Sequence, residues 1–302
     1  MQPKNLRYYI FLVFSMFFWG GSFVLTKYLL IDFHPITLIF LRCVIATIVF
    51  AGFCIAVYKK AFLIARKDLK YFIGLAFFEP FIYFLFENYS LIYCDASVVS
   101  VIIATIPLFV ALMAVLVFKE KLSKLNYFGV LLSIFGIVIM LWRSFMHADF
   151  RFLGVFLAFG AVFSTIGYNF FLKKIPTTYN TIVVITWQNL LGLVAFLPLV
   201  FIFNDVEMVK NQFHAIGDVT NLSYLLMLSI LCSTVAFILY ISSMRKMGLA
   251  RTNIFVNLIP VMTVIIAYFV LKEEITLSKI VGICIVITGI FLVQHRRGGI
   301  KL

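Results

Sequence analysis

Unbroken apolar runs of roughly twenty residues recur along this chain from end to end, each long enough to cross about 30 Å of hydrocarbon. Lipid offers no water to the backbone, so a spanning segment must satisfy its own N–H and C=O groups as a helix or inside a closed barrel. A barrel would need short strands in which apolar and polar residues alternate. The runs here do not alternate, which predicts an all-α integral membrane protein. Composition agrees. Of 302 residues, 64% are hydrophobic and only 12% are charged, against about 25% charged in a soluble domain. The first run is too long for a cleaved signal peptide and lacks a small-residue cleavage site.

The runs predict ten transmembrane helices, at about 8–31, 34–58, 69–92, 96–118, 124–142, 152–173, 179–203, 222–244, 250–271 and 277–295. "DFHP" near 32–35 and "KEKLS" at 119–123 leave room only for tight turns. The longest gap, 204–221, is polar, holds Asp205, Glu207 and Asp218, and reads as a loop. With the N-terminus inside, the cytoplasmic segments carry 18 of the 25 Lys and Arg residues and the opposite side carries 5. That bias predicts cytoplasmic termini. It also accounts for the net charge of +13 without a nucleic-acid partner.

Several chemistries find no support. The five cysteines (43, 54, 94, 232, 284) have no paired spacing, and a thiol inside a span is an ordinary small apolar group. Neither a disulfide nor a metal site is expected. "GGSF" at 20–23 could suggest a serine nucleophile, but such a serine needs a neighbouring base. The four histidines (34, 147, 214, 295) fall in loops or at a span end, so an enzyme is not expected. No Gly-rich Lys-Ser/Thr phosphate loop is present. Energy for any transport would come from gradients, with a proton as the candidate coupling ion and no cofactor.

The chain repeats itself. Residues 106–142 align without gaps, at an offset of 153, with 259–295. Pro107 meets Pro260, Lys119-Glu120 meets Lys272-Glu273, and Gly129 and Gly136 meet Gly282 and Gly289. Apolar segments share Leu and Val by chance, but shared prolines, charges and glycines in register mean duplication. The division falls at 1–147 and 148–302, five spans each. An odd number of spans inserts the second half upside down, giving two inverted five-helix repeats.

"WGGSF" at 19–23, "LR" at 41–42, "DASVVSVIIATIPLFVAL" at 95–112 and "GLARTNIFVNLIPVMTVIIAYFVLKEEIT" at 248–276 lie in this order over nearly the whole chain. In order, spacing and duplication they resemble the drug/metabolite transporter superfamily, EamA type. The resemblance implies ten helices and alternating access to a central cavity. That cavity would be lined by spans one to four and six to nine, with five and ten peripheral. It does not carry a substrate, because the acids of the third span are no mark of the family.

Those acids are the sharpest candidates. In "FFEPFIYFLFENYSL", Glu79 lies about 15 Å into its span, near the midplane, and Glu87 lies closer to the far end. Glu79, Tyr83 and Glu87 share one helix stripe. A carboxylate facing lipid there would cost on the order of 3 kcal/mol, so both should face protein or a wet cavity. For Glu87 the structural alternative is an ion pair with Arg42 or Lys27; Lys27 can instead snorkel to headgroups. Glu79 has no basic residue at its own depth, and function is favoured: binding a cationic group or carrying a proton. Trp19, Phe23, Tyr168, Asn169, Gln188 and Asn257 are further candidates for the cavity wall, against a reading as aromatic packing or interhelical hydrogen bonds. Pro107 and Pro260, near mid-span in matching helices, are candidate bends. Together these residues predict a secondary transporter of a small organic metabolite, an amino acid or related compound, working by efflux. A drug exporter or an uptake carrier of the same fold, or a non-transporting membrane sensor, is the alternative. Its partners would be the solute and the bilayer, the chain acting as a monomer or homodimer.

Overall fold

The computed structural model describes residues 6–58, 63–109, 124–146, 152–248, 252 and 254–294. Among them there is no strand. Six helices are long and apolar enough to cross a membrane: α1 (Leu6–Leu29), α2 (Pro35–Tyr58), α3 (Leu69–Tyr93), α6 (Phe152–Lys174), α7 (Thr181–Phe203) and α9 (Val219–Met247). Four segments with a shorter apolar stretch accompany them: α4 (Ala96–Phe109), α5 (Lys124–Met146, apolar stretch Leu125–Met140), α10 (Phe255–Val270) and α11 (Leu277–Gln294, apolar stretch Leu277–Leu292). The far part of the fourth predicted span and the "KEKLS" turn lie outside the described residues.

The gap at 204–221 is not a loop. It holds an additional helix, α8 (Val206–Ile216), and the first turn of α9. Asp205 caps α8 by accepting the Met208 N–H at 2.7 Å, and Asp218 caps α9 by accepting from Thr220 and Asn221. Each cap satisfies amide groups that the first helical turn leaves open. Polarity suggested a loop; the recurrence of Val206, Val209 and Phe213 at i, i+3 and i+7 within it is a helical pattern.

Breaks in the helices come at matched positions. Within α3 the segment Phe77–Ile82 widens into π-type turns, and Glu79 leaves helical geometry altogether at φ −149°, ψ 118°. Pro80 explains this, because its ring disfavours the helical region for the residue before it. The Phe78 carbonyl accepts from the Tyr83 N–H, five residues on, and also from the Ser164 hydroxyl at 2.7 Å. Within α9 the segment Met227–Val235 widens in the same way. There Ser233 and Thr234 hydroxyls donate five residues back, to the Leu228 and Ser229 carbonyls, a pattern that competes with the ordinary ladder. The offset of 153 carries 77–82 onto 230–235. α4 turns at Ala104–Thr105, just before Pro107, and a 3-10 turn, Ile254–Leu258, precedes Pro260 at the head of α10's regular part.

α5 and α11 make the most extensive helix contact and pack at the edge of the bundle. Ser133 Oγ lies 3.4 Å from the carbonyl of Val286, its own counterpart across the offset of 153. A Cβ on Gly136 would sit 2.8 Å from the Gly282 carbonyl, and one on Gly282 2.7 Å from the Gly136 carbonyl. The contact of Gly289 with Gly129 is the same contact carried across the offset. Glycine is required at these positions because backbone meets backbone.

Candidate functional site

The α3 break turns Glu79 inward, and the stripe Glu79, Tyr83, Glu87 faces a central cavity of about 710 Å³, its mouth included. Trp19, Ser22 and Phe23 from α1, Arg42 from α2 and Phe84 from α3 line it. Ile103 and Ile106 come from α4, and Thr165, Tyr168 and Asn169 from α6. Cys232, Phe237 and Tyr240 from α9, with Val256 and Ile259 in the first turns of α10, complete the wall. All three charged side chains are buried: Arg42 is 2% exposed, Glu79 5% and Glu87 2%.

Arg42 is held from two sides. Its Nε donates to Ser233 Oγ at 3.1 Å, and its guanidinium carbon lies 4.0 Å from the centroid of the Phe84 ring. A desolvated cation over an aromatic face is worth about 2 kcal/mol. Among the described residues Arg42 Nη1 has no hydrogen-bond partner, and Glu87 Oε1, Tyr168 OH and Trp19 Nε1 are also buried without one. Buried polar atoms normally find partners, and these four belong to side chains lining one cavity. The Trp19 ring lies 4.9 Å from both Phe237, edge to face, and Tyr240, tilted, so part of the wall is aromatic.

Eight of the sequence candidates meet here: Trp19, Phe23, Arg42, Glu79, Tyr83, Glu87, Tyr168 and Asn169. Gln188 and Asn257 are buried but do not line the cavity. Arg42 and Glu87 are not joined by an ion pair within 4.0 Å. Lys27 pairs with neither acid of α3. It donates to the Cys94 carbonyl and stands 3.9 Å from Asp95. Tyr240 and Ser233 escaped the sequence reading, although the repeat pointed to both: at the offset of 153 they are the counterparts of Glu87 and Pro80.

Polar contacts fasten the bundle on either side of the cavity. At one end, Lys279 bridges Asp95 at 2.7 Å and Glu273 at 3.8 Å. Glu273 accepts from the Ala96 N–H at 2.8 Å and from the Ser97 hydroxyl, capping α4 with a charge that its helix dipole favours. This cluster ties together the ends of α1, α3, α4 and α11. At the other end, Tyr179 donates to Asp68 at 2.7 Å while its carbonyl accepts from Arg245 at 2.8 Å, joining the loops before α3 and α7 to the end of α9.

Comparison with known proteins places this architecture. The EamA-like transporter family model matches twice, over residues 6–142 and 152–294. An uncharacterized transporter of Archaeoglobus fulgidus is 25% identical over 292 residues, covering 97% of this chain and all of that protein. A protein of Escherichia coli K12 named as a probable amino-acid metabolite efflux pump is 23% identical, covering 91% of this chain and 90% of its own length. A solved crystal structure superposes with a TM-score of 0.66 over 96% of this chain and 97% of its own, at 15% identity, a likeness of fold alone.

Proposed function

Starting from the EamA-like transporter family, to which this chain belongs, we propose that it is a secondary transporter exporting an amino acid or related small metabolite by alternating access. The observation that carries the reading is the convergence of Arg42, Glu79 and Glu87 on one cavity between helix breaks from both halves. A zwitterion needs one group of each sign and a surface for its carbon skeleton. The free Nη1 of Arg42 can take a carboxylate, Glu79 or Glu87 an ammonium, and the aromatic wall the remainder. The name of the Escherichia coli relative favours export.

In this reading the four shorter segments are spans as well, giving ten, and the halves are inverted repeats. The reciprocal glycine contacts between α5 and α11 support that arrangement, since a twofold relation makes each contact occur twice. Alternating access then requires one end of the bundle to open while the other stays tied. The Lys279–Asp95–Glu273 cluster and the Tyr179–Asp68–Arg245 cluster are the contacts that alternate. Glu79 is the carrier, binding the solute's cationic group or a proton. The chain sits in a bacterial inner membrane with both termini cytoplasmic, as the Lys and Arg distribution favours.

The test is a thermal-shift screen of the purified protein against amino acids, polyamines, nucleosides and cationic drugs, followed by counterflow in proteoliposomes for each stabilising compound. Saturable counterflow of an amino acid or a derivative is expected. Counterflow confined to compounds of another class would replace the substrate assignment. Compounds that bind with no counterflow of any of them would favour a sensor.

A further inference from the structure

α8 carries three distinct faces, and among the described residues one of them is fastened to protein by hydrogen bonds. Gln212 is buried, 5% exposed, and fastens the helix to the turn before α2. Its Oε1 accepts the His34 N–H at 3.0 Å, and its Nε2 donates to Asn204 Oδ1 at 2.9 Å, an oxygen that also accepts from Thr37. Around the helix from Gln212 comes an apolar stripe of Val206, Val209 and Phe213, spaced i, i+3, i+7 and contained within about 60° of arc. Val206 is 73% exposed and Phe213 71%. Beyond it lies a stripe of Glu207, Lys210, Asn211 and His214, all exposed.

A helix with protein on one side, water-seeking groups on another and exposed apolar groups between them fits a boundary between hydrocarbon and water. The flanking spans favour lipid as the occupant. Phe201 and Ile202, at the adjoining end of α7, are 77% and 70% exposed, and Val219, opening α9, is 80% exposed. The apolar stripe of α8 therefore continues surface that belongs to membrane-crossing helices. A stripe of three side chains is also far narrower than the roughly 800 Å² per partner that a stable protein contact needs.

We infer that α8 lies in the membrane–water boundary, its Val206–Val209–Phe213 stripe immersed among lipid acyl chains and its Glu207–Lys210–His214 stripe among headgroups and water. The segment then anchors the turn between α1 and α2 at a fixed depth, through Gln212 and His34. This does not depend on which solute the chain moves, or on whether it moves one.

The experiment replaces single residues of the full chain with the photo-crosslinker p-benzoylphenylalanine and irradiates the protein in vesicles of phosphatidylethanolamine and phosphatidylglycerol. Position 213 tests the apolar stripe, position 210 the polar one, and position 201 on α7 serves as the lipid-facing reference. Phospholipid adducts, read by intact mass, are expected at 213 at a yield near that of 201 and at least about fivefold above 210. Equal yields at 213 and 210, adducts at 201 alone, or a crosslink at 213 mainly to a second copy of the chain would each overturn the assignment.

Discussion

The breaks in α3 and α9 occupy matched positions in the two halves and do different chemistry. At the α3 break stand Glu79 and Pro80; the same places in α9 hold Cys232 and Ser233. Two turns further on, Glu87 corresponds to Tyr240, and Arg42 of α2 corresponds to Ala195 of α7. The backbone device is thus present in both halves, while the charge is present in one. The uncharged half has its own part: Ser233 holds Arg42, and Tyr240 and Phe237 supply the aromatic wall. Both parts of the chain thus line the cavity, residues before 147 bringing its charge and residues after 148 bringing uncharged polar and aromatic groups.

The largest effect should come from removing Arg42, the cation among the described lining residues. Arg42→Gln removes the hydrogen bond to Ser233, worth about 1.5–3 kcal/mol, and the contact over the Phe84 ring, worth about 2 kcal/mol, and leaves Glu79 and Glu87 without a nearby cation. A strongly lowered melting temperature is expected, with partial recovery in the double variant Arg42→Gln, Glu87→Gln. No recovery would mean that Arg42 acts through Phe84 and Ser233 rather than through the acids.

Ser233→Ala breaks one hydrogen bond between the halves, the one that holds Arg42, without changing charge. Losing a hydrogen bond to a charged group costs about 1.5–3 kcal/mol, so its melting temperature should fall less than that of Arg42→Gln. A fall as large would place the weight of the site in the uncharged half. The matched change at the α9 break, Cys232→Ala, should cost less than about 1.5 kcal/mol, because only a small thiol is removed.

Glu273→Gln removes the charge that caps α4 and pairs with Lys279. An exposed capping charge contributes about 0.3–1 kcal/mol, and this one is more buried. The expected readout is a modest rise in thiol-reagent labelling of Cys232 in the cavity from the Asp95 end of the bundle, with little change in melting temperature. Unchanged labelling would remove this cluster from the account of access.

The smallest effect concerns α9's cap. The amides of Asn221 and Thr220 hold the Asp218 carboxyl below its ordinary range. A group with a lowered folded-state pKa stabilises above its unfolded value and loses that contribution as pH falls through the folded one. Asp218→Ala should therefore lower melting temperature slightly at neutral pH, and the difference from the parent should vanish in strong acid. A difference that persists there would mean that the cap acts through shape alone.

How much of this was legible in the sequence follows from what each feature depends on. Hydrophobic length marked the spans, and Pro80 with Pro107 and Pro260 marked where helices could not continue. Glu79 was identifiable because an acid in an apolar run must find a cavity. The partner of a long side chain was not identifiable. Lys27 and Arg42 each reach several ångströms, so depth alone could not decide between Asp95, Glu87 and Ser233, which three-dimensional packing does. α8 was misread because its polar residues dominate the average, while its helical signal lies in the spacing of three apolar ones. Tyr240 carried no local signal and could be found only by reading the repeat residue by residue.

The central claim is that the charged half of the cavity does the carrying. The most direct measurement is initial-rate counterflow in proteoliposomes of Glu79→Gln beside Cys232→Ala, using a solute that the parent protein moves. The amide keeps nearly the shape of the acid, so Glu79→Gln should reconstitute at the parent's yield and melting temperature. Its rate should fall at least about tenfold, a loss of roughly 1.4 kcal/mol or more at the transition state, while Cys232→Ala stays within about twofold of the parent. Parent-like counterflow by Glu79→Gln, or an equal loss in both variants, would contradict the account.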